Sequence, residues 1–143
     1  MKFTGVKIVE ASAGSGKTYA LSRAYLGLLL AEPSENTLKS LLAITFTNKA
    51  TYEMKERILE LLKRTALDEF VKPLDKKDLL AYLKLQPAPA KERSLQALDA
   101  IILNYNSFQV KTIDSFVNLL LSGCAYRLGL PADFRIKKDF EYY

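Results

Sequence analysis

The chain has 143 residues, 21 Lys and Arg against 16 Asp and Glu, a formal net charge of +5, no His and one Cys. Its 49% hydrophobic and 26% charged shares are ordinary for a globular domain long enough to bury a core. Without His there is no Ser-His-Asp triad, imidazole base or His-ligated zinc, and the lone Cys124 excludes an internal disulfide and a Cys-clustered metal, so any chemistry must come from backbone amides, Lys, carboxylates and hydroxyls.

At the N-terminus, Lys7 and Glu10 break what would be the apolar stretch of a signal peptide. The longest apolar run, Ala24 to Ala31, is less than half of the ~18 residues that cross a bilayer. A cytoplasmic chain without a membrane partner is expected. Val6 to Val9 predicts a short strand, followed by small residues from Ala11 to Gly16. Leu21, Ala24, Tyr25, Leu28 and Leu29 then carry the spacing of an amphipathic helix over 17–31, with Pro33 just beyond it. Leu41 to Phe46 is nearly all apolar, as in a strand covered on both faces. Thr47-Asn48 supplies a cap for a second helix, with Ala50, Met54, Ile58, Leu61 and Leu62 on one side and the pairs Glu53/Arg57 and Glu60/Arg64 on the other.

Residues 73–107 predict a helical insertion. Asp75 caps a short helix bearing Leu79, Leu80 and Leu83; Gln86 to Pro89 interrupts; a further helix carries Leu95, Leu98, Ile101 and Ile102. Phe108 to Thr112 returns to strand, and Asp114 or Ser115 starts a helix with Phe116, Val117, Leu120 and Cys124, the last expected as a small core residue. Gly129 suits a C-terminal cap, Pro131 a stop, and Asp133 to Lys138 a further strand. Strands alternating with helices imply an α/β fold with a parallel sheet.

Ala11-Ser12-Ala13-Gly14-Ser15-Gly16-Lys17-Thr18 fits the pattern [A/G]-x-x-x-x-G-K-[S/T]. Small residues let successive N–H groups converge on a phosphate, and the helix that follows aims its positive end at the same point. Lys17 can reach the outer phosphates of a nucleotide, and the Thr18 hydroxyl can ligate Mg²⁺. The pattern points to nucleoside triphosphate binding and leaves the reaction open.

A second segment, Leu42 to Ile58, begins at the carboxyl end of a predicted parallel strand, the ligand-facing edge of such a sheet. Phe46 there could stack on a base while Thr47, Asn48 and Lys49 reach a phosphate; taken alone, the same residues also describe a buried strand ending in a capped helix.

Together with the phosphate loop, this segment resembles motif Ia of the superfamily-1 DNA helicases of the UvrD/Rep group. Thr112-Ile113-Asp114-Ser115-Phe116 resembles their motif Ib, with Asp114 in place of the usual His. The opening Glu10 to Thr18 and the long helical stretch between the motifs look most like the RecB/AddA branch. The resemblance implies a partial P-loop (RecA-like) domain, with a short parallel sheet flanked by helices and the insertion at about 73–107. It implies ATP and Mg²⁺ as cofactors, with Ala13, Gly14, Ser15, Gly16, Lys17 and Thr18 around the phosphates and Thr18 on the metal. Tyr19 occupies the place of a residue against the adenine, although core packing suits it equally. Phe46, Thr47, Asn48, Lys49, Thr112 and Ser115 would contact single-stranded DNA. At Asp114 a carboxylate would repel phosphate, and helix capping fits it better.

Such a motor also needs a strand ending in Asp-Glu, a sensing Gln and arginines from a second domain. The only Asp-Glu pair, Asp68-Glu69, follows an amphipathic helix and belongs to a solvated helix end. The resemblance therefore implies residues 1–143 as the N-terminal ATP- and DNA-binding part of a helicase of recombination or repair. That part alone should lack ATPase activity, self-associate through a cut sheet edge, and in the whole protein meet a partner subunit. Two alternatives stand beside it: a stand-alone nucleotide- or DNA-binding module, and a different P-loop enzyme such as a small kinase.

Overall fold

The computed structural model describes residue 5 and residues 16–125, 127–129 and 131. The first predicted strand (6–9) and the last (133–138) lie outside them. Helix α1 spans Lys17–Ala31 as expected but turns a different face inward: Leu21 and Leu28 are exposed, while Leu26 and Leu30 join Tyr25 and Leu29 in the core; α2 spans Glu35–Ser40. The apolar pattern predicts no helix at α2. Its start is set by Ser34, whose hydroxyl accepts from the Thr37 N–H at 3.2 Å, and Lys39 pairs with Glu35 one turn on.

Strand β1, Ala43–Thr45, leads into α3, Asn48–Leu67. The insertion forms α4, Pro73–Leu83, and α5, Pro87–Leu103, followed by a 3₁₀ turn at Tyr105–Ser107. Strand β2, Val110–Thr112, runs directly into α6, Ile113–Cys124. Proline opens both insertion helices, where its missing N–H costs nothing. The residue flanking α4 is accordingly Lys72, and Asp75, expected as the cap, lies inside the first turn.

The core is a helix-on-helix layer with the strands at one side. Leu26, Leu29 and Leu30 of α1 pack with Met54, Ile58, Leu61 and Leu62 of α3 and with Ala97 and Ile101 of α5; Phe108 and Val110 join from the β2 side. Each of these is buried, and the α3 stripe is the one its sequence spacing predicts. Long-range capping ties the insertion to α1: Arg93 of α5 donates from one guanidinium nitrogen to the Leu30 and Ala31 carbonyls at 3.0 and 3.3 Å. The last turn of α1 contains no basic residue of its own, so a cation from about sixty positions away satisfies these terminal carbonyls.

The strands pair in parallel, Ala43 with Val110, Ile44 with Lys111 and Thr45 with Thr112. Two expectations are corrected here. Ile44 is 40% exposed, so β1 is not covered on both faces among the described residues. Cys124 is exposed and so is not a core residue, because α6 has no buried residue at all.

Candidate functional site

Gly16 precedes α1 in the left-handed region, φ 84° and ψ 21°, which glycine adopts without steric cost. A Cβ there would meet nothing within 4 Å, so the conformation rather than crowding calls for glycine. The helix ladder starts at once, with the Ala20 N–H donating to the Gly16 carbonyl at 2.9 Å. Glycine has no side chain to cap the first amides of α1, and no carboxylate lies in its first turn. At α2, α3 and α6, by contrast, Ser34, Thr47 and Thr112 fill that role with a hydroxyl. Among the described residues the start of α1 thus has neither a side-chain cap nor a carboxylate, and the start of α5 is alike in both respects. Lys17 is exposed beside it and Thr18 half-buried, its carbonyl accepting from the Ser22 hydroxyl at 2.8 Å. Ala13, Gly14 and Ser15 lie outside the described residues.

Tyr19 is half-buried against the core, and the Arg23 guanidinium carbon lies 5.4 Å from its ring centroid. Sequence reasoning passed over Arg23. Its signal was the i,i+4 spacing from Tyr19 on a helix that starts at the loop.

The parallel register aligns the carboxyl ends of the strands at Thr45 and Thr112, and each end passes into a helix. Residues 46–49 and 112–115, far apart in sequence, therefore share one edge of the sheet. A hydroxyl network fixes the first junction: Thr45 and Thr51 Oγ1 lie 2.6 Å apart, Thr51 donates to the Thr47 carbonyl at 3.2 Å, and Thr47 Oγ1 accepts from the Ala50 N–H at 3.1 Å. That turn leaves Phe46 85% exposed, an extent similar to Val71 at 84% and Leu103 at 80%. Thr47, Asn48 and Lys49 are exposed around it, with Lys49 Nζ 3.9 Å from the Glu53 carboxylate.

At the second junction Thr112 is buried. Its hydroxyl accepts from the Ser115 N–H at 3.2 Å and lies 2.8 Å from Ser115 Oγ, which is on an exposed residue. The cap of α6 is therefore Thr112, not Asp114 or Ser115; Asp114 lies in the first turn, where a carboxylate favours the helix dipole. The Asp68-Glu69 pair sits at the end of α3. Asp68 adopts φ 59° there and its carboxylate is 2.5 Å from Lys76 Nζ, a solvated helix end as the sequence indicates.

The group with a marked shift in ionisation is away from this edge: burial pushes the Tyr25 phenol up to about 12. Among the described residues no group of His, Cys, Asp and Glu could hold a metal by itself, and no helix is long and apolar enough to cross a membrane.

The model of the UvrD/REP helicase N-terminal domain matches residues 1–142. The chain is 30% identical over 134 residues to an ATP-dependent helicase/nuclease subunit of Bacillus cereus (strain AH820), covering 94% of this chain and 9% of that protein. Its counterpart in Bacillus thuringiensis (strain Al Hakam) matches with the same identity and coverage. The chain thus spans about a tenth of the length of these relatives. No solved structure matches it significantly. The chain belongs to the UvrD/REP helicase N-terminal domain family.

Proposed function

We propose that this member of the UvrD/REP family is the N-terminal ATP- and single-stranded-DNA-binding part of an ATP-dependent DNA helicase. In this reading residues 1–143 form the first part of a RecA-like P-loop motor domain with α4 and α5 as its insertion. The observation that carries the DNA half is the Thr45–Thr112 pairing, which gives Phe46, Asn48, Lys49 and Ser115 one common edge. Phe46 stacks on a base, while Asn48, Lys49, Ser115 and the amides opening α3 take phosphate oxygens. The Thr47 and Thr112 hydroxyls hold that edge in shape as caps, and Thr47, being exposed, also has its backbone within reach of the strand.

The nucleotide half rests on the glycine-capped start of α1. Its open amides and the exposed Lys17 suit a triphosphate, and Thr18 suits Mg²⁺ as an oxygen donor. Bound Mg²⁺ would neutralise phosphate charge there. Ala13, Gly14, Ser15 and Gly16 supply the amide cradle, and Tyr19 lies against the base. With no carboxylate assigned to activate water, the chain holds ATP without turning it over.

The relatives are named as helicase/nuclease subunits, which supports a helicase working beside a partner chain; a role in recombination or repair and a cytoplasmic location belong to the same proposal. In isolation the chain self-associates through its short sheet.

A titration of labelled ATP and of a labelled oligonucleotide tests both halves. Lys17→Ala should abolish ATP binding, with no turnover in the parent chain. Phe46→Ala and added salt should each weaken single-strand binding. ATP turnover that Lys17→Ala abolishes would overturn the inactivity. Oligonucleotide binding indifferent to both salt and Phe46→Ala would overturn the DNA edge.

A further inference from the structure

Between the nucleotide-facing start of α1 and the insertion lies a stack of three side chains. The Arg23 guanidinium carbon sits 4.2 Å from the ring centroid of Tyr82 in α4 and 5.4 Å from that of Tyr19. One terminal nitrogen donates to the Asp78 carbonyl of α4 at 3.2 Å. Nε is buried without a hydrogen-bond partner, so the guanidinium keeps this position although one donor is left unsatisfied. Helix α4 also packs beside Gly27, one turn beyond Arg23 on α1: a Cβ there would sit 3.8 Å from both the Tyr82 ring and the Leu83 side chain, ordinary van der Waals contact.

We propose that Arg23, clamped on Tyr82 of the insertion, is a positioning residue that sets the Tyr19 ring to receive a purine base. The inference rests on the reading that Tyr19 lies against the base of ATP. A planar guanidinium stacks on aromatic faces, and a cation over one face of a tyrosine draws its π density. The rest of the ring surface then offers a better partner to an electron-rich purine. Tyr82 holds the same cation from α4, and the Asp78 carbonyl accepts one of its hydrogen bonds. Base recognition thereby depends on Tyr82 of α4, more than sixty residues from the phosphate loop in sequence. Phosphate binding through Gly16, Lys17 and Thr18 needs none of these groups.

That separation gives the test. The 143-residue chain and its variants are titrated with ATP and, separately, with inorganic tripolyphosphate, both with Mg²⁺, and the ratio of affinities is read; thermal melting by circular dichroism follows the fold. Tyr82→Leu and Arg23→Met should each lower the preference for ATP about threefold to fivefold, the scale of an exposed cation–π contact, with tripolyphosphate unchanged. Tyr82→Phe, which keeps the ring, should retain the preference, and Arg23→Lys should keep part of it. Equal loss for both ligands would mean that the stack only supports α1, and would overturn the proposal. So would a full preference in Tyr82→Leu. If Tyr82→Leu does not fold, Arg23→Lys decides: a preference as low as in Arg23→Met, or fully intact, counts against the proposal. Tyr19→Leu separates the two levels. Should it abolish the preference while Arg23→Met leaves it intact, the positioning role alone fails. If the parent chain shows no preference for ATP, the assignment of Tyr19 to the base fails, and the positioning role with it.

Discussion

The chain leaves its two strands by one local plan, a threonine whose hydroxyl caps the helix that follows: Thr47 for α3 and Thr112 for α6. Both helices carry apolar stripes. Yet α3 buries Met54, Ile58, Leu61, Leu62, Thr65 and Ala66, whereas among the described residues nothing in α6 is buried, and Val117, Leu119 and Leu120 are each between 43 and 52% exposed. The difference lies in neither propensity nor capping. Helix α3 is sandwiched by α1 and α5, whereas among the described residues α6 packs chiefly on the two strands. Local sequence determines where a helix begins; burial depends on what is packed over it.

The largest expected effect exposes this contrast directly. Ile58→Ala removes a fully buried side chain from the α3 seam and should cost about 2–5 kcal/mol. The matching change on α6, Leu120→Ala, should stay within about 0.5 kcal/mol. Urea unfolding of both variants reads the two values. Equal losses would mean that α6 is packed as firmly as α3, and would break the comparison.

What the sequence made legible follows the same division. The stripe Met54, Ile58, Leu61, Leu62 and the Thr47 cap could be read because period and cap chemistry are local. So could Lys17 at a glycine-led helix start. The exposure of Cys124 and of one face of β1 could not, since neither residue's neighbours are within a few positions of it. The capping of α1 by Arg93 and the stacking of Arg23 on Tyr82 were hidden for the same reason: each joins residues some sixty positions apart. Residues 46–49 and 112–115 were both legible as segments through their resemblance to known motifs. Their common edge required the strand register.

Alkaline pH gives the next effect, on the packed side only. Tyr25 is buried next to Phe108, ring centroids 5.8 Å apart, and its hydroxyl has no hydrogen-bond partner. Its ionisation is pushed from 10.0 up to about 12, so the unfolded chain loses this proton first as pH rises. Stability present below pH 10 should therefore fall between pH 10 and about 12. Tyr25→Phe should flatten that fall relative to the parent chain, and at neutral pH it should be neutral or stabilising, because an unsatisfied buried hydroxyl is removed. A parallel alkaline decline in both proteins would show that Tyr25 ionises freely and that this part of the core is open.

The caps themselves come third. Thr47→Ala and Thr112→Ala each remove a hydroxyl that accepts from a backbone N–H, a change of about 1 kcal/mol at a helix start. The sites should differ in how the loss appears. Fraying at α3 disturbs the core and should lower the unfolding midpoint. Fraying at α6 should lower helical ellipticity well before the global transition. Identical behaviour would couple α6 to the core.

The smallest effect tests the outward side of α3. Arg64 donates to Glu60 at 2.5 Å, one turn apart on partly exposed side chains. Glu60→Gln should cost no more than about 0.5 kcal/mol, and most of that should vanish in 1 M salt, because the pair interacts mainly through water. The value bears on the comparison because two sources could hold α3 in shape. If packing of Met54, Ile58 and Leu62 holds it, surface pairs are minor and the Ile58 contrast stands. If Glu60→Gln costs as much as a cap, α3 owes its order to its own helical pairs, and α6, whose sequence holds no Lys or Arg to form one, differs from it for want of those pairs rather than for want of cover.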